Sequence, residues 1–258
     1  MRRQSPLQTK SGWSTPDRII VKGFDLCQDL MGKVSLGDMA FLELTDRLPS
    51  PSESVAFNAL AITLVEHGIT PSALAARLTY TGAPESLQGA VAAGISGLGS
   101  VFVGSMENAA RLLQEEIAGD SAKDLDELAH DIVNRYAEKR QKIPGIGHHF
   151  HKPVDPRAPP LFSIAEDNGL SGKHVSLMRK ISDAAEKKLD KPLPVNATGA
   201  IAAVASELGI EWRIVKGIGI MARAIGLVGH IREEIANPMA REIKARVEEE
   251  ATSLLRKT

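Results

Sequence analysis

The chain has 258 residues, and its 31 basic and 32 acidic side chains leave a formal net charge of −1, so no basic field exists to hold nucleic acid or an anionic membrane surface. That length can bury a sizeable core, as one large domain or as a main domain with a smaller one attached. The single cysteine, Cys27, excludes an internal disulfide framework and suits a reducing compartment, so a cytoplasmic location is expected.

Residues 1–12 are polar and basic without an apolar h-region, which reads as no secretory signal. Strand signal is confined to 17–26 (DRIIVKGFDL), where a β-branched run precedes Gly23 and predicts a short hairpin or lone strand. Helical periodicity dominates from there. In 55–67 (VAFNALAITLVEH) only Asn58 interrupts the apolar residues before Thr63, which predicts a buried helix. Segment 85–99 is small and apolar, with glycines at 89, 94, 97 and 99 that call for close helix packing or a ligand's approach.

Segments 107–120 and 121–141 are amphipathic, the second opening on Ser121 and Asp124 as a weak capping-box variant. Segments 159–169 and 171–190 read as two more helices, and 198–209 and 212–237 as long, weakly polar, central ones. The longest apolar runs, 198–205 and 225–229, fall short of the roughly 20 residues that span a bilayer, so no membrane partner is expected. The fold class is all-α, with both ends (1–12 and 251–258) expected to fray.

The densest chemistry lies in 142–159 (KIPGIGHHFHKPVDPRAP). Pro144, Gly145 and Gly147 let the backbone turn sharply and approach a ligand, with Ile146 between the glycines. His148 follows directly and Arg157 nine residues later, a separation that suits one anion held by a guanidinium while an imidazole meets its reacting oxygen. A solvated, His-rich connection is the competing reading. A metal site on His148, His149 and His151 finds no cysteine or suitably spaced acid, since Asp155 precedes a proline, so no metal is expected.

His67 closes an apolar segment before Gly68, where a helix dipole would favour its charged form. Arg223 sits on a nearly all-apolar helix and requires an anionic partner, either a carboxylate side chain or a ligand. His230 and Arg232 continue that helix toward a charged, solvated end. Cys27 has no partner base and reads as packing. No P-loop, dinucleotide fingerprint, HExxH or GxSxG motif occurs.

Together the PGIGH and DPRA elements, 64–100, 196–209 (NATGAIAAVASELG) and 221–234 (MARAIGLVGHIREE) resemble the citrate synthase superfamily, in particular its short citryl-CoA lyase branch, related to the C-terminal part of ATP-citrate lyase. The resemblance covers nearly the whole chain. It implies a helical homodimer, or a higher homo-oligomer, whose subunits have a large domain (1–103 and 215–258) and a small one (104–214) with the active site in the cleft between them. It implies that His148 contacts the reacting oxygen, that Arg157 and Arg223 hold carboxylates with His67 beside them, and that Pro144, Gly145, Ile146 and Gly147 lie along coenzyme A. Arg241 is implied as a carboxylate-binding arginine supplied by the other subunit.

Two departures follow from the same comparison. The synthase histidine that hydrogen-bonds the thioester oxygen is replaced by Phe102 or Val103, and the catalytic aspartate by Thr198, with Asn196 as the other polar candidate. Cleavage of citryl-CoA is a retro-aldol step that needs a base for the tertiary hydroxyl, a role for which His148 has an imidazole pKa of about 6.5. Condensation needs a carboxylate base and an enolate-stabilising donor, each worth roughly 10²-fold or more, and Thr198 is no base near neutral pH. The expected activity is therefore citryl-CoA cleavage to acetyl-CoA and oxaloacetate, with no cofactor beyond coenzyme A as part of the substrate. A lyase or condensing enzyme for another hydroxy-acyl-CoA, and a silent CoA-metabolite binder, are the alternatives.

Overall fold

The structure, a computed structural model, describes residues 7–100, 103–119, 124–148, 151 and 153–255. Its only sheet among these residues is a three-stranded antiparallel meander of β1 (Gly12–Ser14), β2 (Ile19–Val21) and β3 (Phe24–Asp25). Trp13 pairs with Ile20, and Ile20 with Asp25. Lys22 and Gly23, at φ of 50° and 90°, form the two-residue connection whose twist matches that of the strands. A single π turn, Leu26–Leu30, follows with Asp25 as its cap.

Eleven α-helices follow among the described residues. Both α1 (Leu36–Thr45) and α2 (Pro51–Val65) open on reciprocal capping boxes, Ser35 with Asp38 and Ser50 with Glu53, and Pro51 adds its preset φ to the first turn. In α3 (Pro71–Gly82) the Thr70 hydroxyl accepts the Ala73 N–H. Next come α4 (Leu87–Ser96), α5 (Gly104–Gly119) and α6 (Leu125–Glu138). Asp124 itself caps α6, accepting the Asp126 N–H, while Ser121 lies outside the described residues. The chain continues through α7 (Ala158–Asp167), α8 (Lys173–Leu189), α9 (Ala197–Glu207), α10 (Trp212–Ala236) and α11 (Ala240–Thr252), which reaches into the segment expected to fray.

Helices α6 to α9 pack mainly on one another, while α2, α3 and α4 gather around α10, α1 packs on α2, α11 packs on α3, and α5 meets both groups. The α4 glycines are used for helix packing at Gly94. A Cβ there would lie 2.6 Å from Leu227 of α10 and 3.0 Å from the Ser72 carbonyl oxygen of α3, whose hydroxyl donates to the Gly94 carbonyl. α10 has 25 residues and is long and apolar enough to cross a membrane by length and composition, which the shorter apolar runs do not convey. In the fold it is a core helix, packed against α2, α3, α4 and α5.

α10 also carries charge inward, contrary to the expectation that His230 lies at a solvated end. His230 is 7% exposed and Glu234 4%, and both meet Arg77 of α3, which has no exposed surface. Arg77 donates to Glu234 at 2.9 Å, to His230 Nδ1 at 3.2 Å and to Glu233. Glu234 in turn accepts the backbone N–H groups of Met239 and Ala240, fixing the start of α11. Burial raises its pKa, but those N–H groups and Arg77 outweigh that and hold the carboxylate ionised. Removing one member strands the others in the core. Arg77→Met is expected to cost about 3–5 kcal/mol in urea denaturation; a loss under about 1 kcal/mol, typical of an exposed pair, would contradict this account.

Candidate active site

The turn after α6 is built on glycine. Gly145 and Gly147 adopt φ of 83° and 72°, left-handed values that side chains avoid. The turn then pairs with the segment entering α9: Gly147 N–H donates to the Pro194 carbonyl at 2.7 Å, Asn196 N–H to the Gly145 carbonyl at 3.0 Å, and Ile146 bridges Val195. Gly145 is buried directly on Gly199, where a Cβ on either residue would come within 3 Å of the other's backbone.

Asn196 welds the two pieces together. Its side-chain amide donates to the Gly147 carbonyl at 2.6 Å, and its oxygen accepts the Gly199 N–H at 3.1 Å as the cap of α9. The same oxygen accepts the Thr198 hydroxyl at 2.7 Å, and Thr198 accepts from Ser105 of α5 at 3.2 Å. A chain of hydroxyls thus occupies the place where a carboxylate is expected by resemblance. Nothing in the periodicity of 107–120 marked Ser105. Val103 is buried under Gly219 of α10, and Phe102 lies outside the described residues.

These segments border a cleft of about 1150 Å³ lined by His67, Ser105, Ile146, Gly147, His148, His151, Arg157, Asn196, Thr198 and Arg223 among others. Of the residues expected on a CoA-facing turn, Ile146 and Gly147 line it, whereas Gly145 is buried beneath and Pro144 borders a shallower neighbouring hollow. Arg241 lies on the exposed surface of α11, outside the cleft of its own chain. Arg140, Lys142 and Lys191, all exposed, complete the wall. Among its described lining residues there is no Asp or Glu.

The inner charges are held differently. Arg157 forks onto Asp155, with both N–O distances 3.0 Å, and the fully buried Asp155 also accepts the Ala197 N–H at 2.9 Å. Burial would raise the Asp155 pKa, but the guanidinium and N–H donors outweigh it and hold it at about 2. Arg223 is 9% exposed, and its Nη1 is buried with no hydrogen-bond partner among the described residues. Burial lowers its pKa and the charge of Glu66 opposes that, so a carboxylate side chain and a ligand both remain open as its anion.

His67 lies two residues past the end of α2, not within it. Burial, followed by the positive charges of Arg157, His151 and Arg223, lowers its pKa, so the ring is held neutral rather than charged by a helix end. Its backbone is clamped by Glu66, which accepts the His67 and Gly68 N–H groups at 2.8 and 2.6 Å and meets His230 Nε2 at 3.0 Å. His148 and His151 are neighbours, with ring centroids 4.6 Å apart, and the His67 ring stands edge-on to His151 at 5.9 Å. The His151 N–H donates to His148 Nδ1 at 2.9 Å. His149 lies outside the described residues.

Residues 34–246 match the family model described as citrate synthase, C-terminal domain. The chain belongs to the citrate synthase family. Citrate synthase 2 of Bacillus subtilis is 30% identical over 192 residues, which is 73% of this chain and 49% of that protein, so the chain spans about half the length of the curated relatives it matches. The structure of citryl-CoA lyase from Hydrogenobacter thermophilus aligns with 34% identity and a TM-score of 0.82 over 90% of this chain and 88% of that one. ATP citrate lyase from Methanothrix soehngenii, solved with citrate and coenzyme A, shares the fold at 21% identity and a TM-score of 0.75, over 92% of this chain and 40% of that one.

The buried Nη1 of Arg223, without a hydrogen-bond partner among the described residues, makes a sharp prediction. Arg223→Met removes a desolvated charge, so the ligand-free protein is expected to melt no lower than the parent. Citrate at about 100 times its dissociation constant is expected to stabilise the parent by about 2.7 kcal/mol and the variant by less than half of that. Equal stabilisation of both by citrate would show that Arg223 does not meet the acid.

Proposed function

We propose that the chain is a citryl-CoA lyase, cleaving citryl-CoA to acetyl-CoA and oxaloacetate by a retro-aldol step. The observation that carries this reading is the charge of the cleft: two inner guanidiniums, one with a buried nitrogen that has no hydrogen-bond partner among the described residues, an exposed cationic rim, and no carboxylate among the described lining residues. Citryl-CoA is polyanionic at both ends, with carboxylates on the acid and phosphates on the nucleotide. The likeness to the Hydrogenobacter thermophilus lyase, which extends over nearly the full length of both chains, supports the same reading.

In this reading Arg223 and Arg157 take the acid's carboxylates, His67 stands beside them as a neutral donor, and Arg140, Lys142 and Lys191 meet the CoA phosphates. The thioester lies along Ile146 and Gly147. His148, whose Nδ1 accepts from the His151 N–H, meets the tertiary hydroxyl and handles its proton as that oxygen becomes the ketone. Ser105 and Thr198 solvate the thioester enolate as hydroxyls; neither can pull a methyl proton from acetyl-CoA near neutral pH. Forming the enolate from acetyl-CoA, the step that opens condensation, thus lacks a base here.

A homodimer completes the proposal. Val55 and Ile62 of α2 and Ile225, Val228 and Ile235 of α10 are exposed, an apolar surface that fits burial against a second copy. Arg241, outside its own cleft, is then available to the partner's. The test is oxaloacetate release from citryl-CoA, coupled to malate dehydrogenase and NADH. Steady NADH loss that depends on the protein is expected; tight CoA binding with no product would replace the lyase by a silent binder.

A further inference from the structure

α10 turns one row of residues toward the segment that carries His67. Arg223, Gly226 and His230 are spaced three and four apart, which puts them on one face of the helix. Arg223 lines the cleft together with His67. Gly226 lets the end of α2 approach, since a Cβ there would overlap the Val65 carbonyl oxygen and lie 3.3 Å from Glu66 Oε2. One turn further on, His230 Nε2 stands 3.1 and 3.0 Å from the two Glu66 carboxylate oxygens.

The partners of the His230 ring fix its tautomer. Arg77 lies against Nδ1, with its Nε at 3.2 Å and its Nη2 at 3.0 Å. A guanidinium only donates, so Nδ1 accepts and the ring carries its proton on Nε2, aimed at Glu66. The Glu66 carboxylate accepts that N–H together with the backbone N–H groups of His67 and Gly68. Burial would raise the Glu66 pKa, but these donors outweigh it and hold the carboxylate ionised. Neither His230 nor Glu66 is among the residues that line the cleft.

On the reading above, in which His67 stands beside the acid's carboxylates, we infer that His230 is a positioning residue for His67. Arg77 sets the His230 tautomer, the Nε2–H holds the Glu66 carboxylate, and that carboxylate fixes the backbone from which the His67 ring enters the cleft. His230 touches no substrate and moves no proton. It governs affinity for the acid through the placement of one ring, while CoA, which meets other walls of the cleft in that reading, is outside its reach.

The experiment measures citrate and CoA affinity by calorimetry for the parent, His230→Leu, His230→Gln, His67→Ala and the double variant His230→Leu with His67→Ala, with melting temperatures alongside. His230→Leu is expected to weaken citrate about tenfold, the effect of a lost hydrogen bond to a charged group, and to leave CoA affinity unchanged. His230→Gln, whose amide supplies one acceptor and one donor, is expected to hold citrate within about threefold of the parent. In the His67→Ala background His230→Leu is expected to change citrate affinity by less than about twofold, because its route to the acid is gone. Should His230→Leu fail to fold, Glu66→Ala, at the exposed end of the chain of contacts, carries the same cycle; the charge that Glu66 places near Arg223 acts in both backgrounds and cancels from the comparison. An equal loss of citrate affinity with and without the His67 side chain would overturn the assignment, as would a loss in His230→Gln as large as in His230→Leu. Parent protein that binds no citrate would refute the placement of His67 beside the acid, and the assignment with it. Coupling to His67 in a protein that leaves citryl-CoA intact would overturn the lyase reading and uphold the assignment.

Discussion

Gly145 and Gly199 touch backbone to backbone, and the site depends on that contact. A Cβ on Gly145 would lie 2.7 Å from the Gly199 Cα, and one on Gly199 would lie 2.4 Å from the Gly145 oxygen. The crossing lets the turn before His148 hydrogen-bond to residues 194–196. Asp155 reinforces it from the other side, anchoring Arg157 and the first amide of α9 together. The walls of the cleft that carry His148, Arg157 and Thr198 are thus held by one knot of backbone.

Around that knot the charges are arranged so that a ligand completes them. Arg157 is already neutralised by Asp155, whereas Arg223 keeps a buried nitrogen without a partner. A desolvated cation of this kind destabilises the empty protein and strengthens its attraction for an anion, because the cost of stripping its water is met during folding rather than during binding. Behind the site, the buried Arg77, His230 and Glu234 connect through Glu66 to the backbone of His67. The loop carrying that histidine is therefore tied to the core instead of resting on solvent-exposed turns.

Much of this was legible from the residues. The apolar continuity of 55–67 and 212–237 locates α2 and α10, and a guanidinium on the apolar face of α10 signals a missing anion. The PGIGH turn announces itself through glycines that only a left-handed backbone requires. His230 misled because its neighbours 232–235 are mostly charged, and the buried partner that explains it, Arg77, is 153 residues away in sequence. Ser105 carried no local signal, since its placement beside Thr198 exists only once α5 and α9 have packed. α1, α3 and α11 escaped the periodicity argument, although Ser35 with Asp38 and Thr70 with Pro71 are readable starts.

The hydroxyls of Ser105 and Thr198, standing where the resemblance expects a carboxylate, carry the central chemical claim, because neither is a base that can activate the methyl group of acetyl-CoA. The most direct measurement is methyl deuterium exchange of acetyl-CoA in D2O with oxaloacetate bound, set against the turnover of citryl-CoA cleavage, for the parent and for Thr198→Asp. The account predicts exchange in the parent far slower than cleavage, and exchange about 10²-fold faster once the carboxylate is supplied. Parent exchange as fast as cleavage would contradict it.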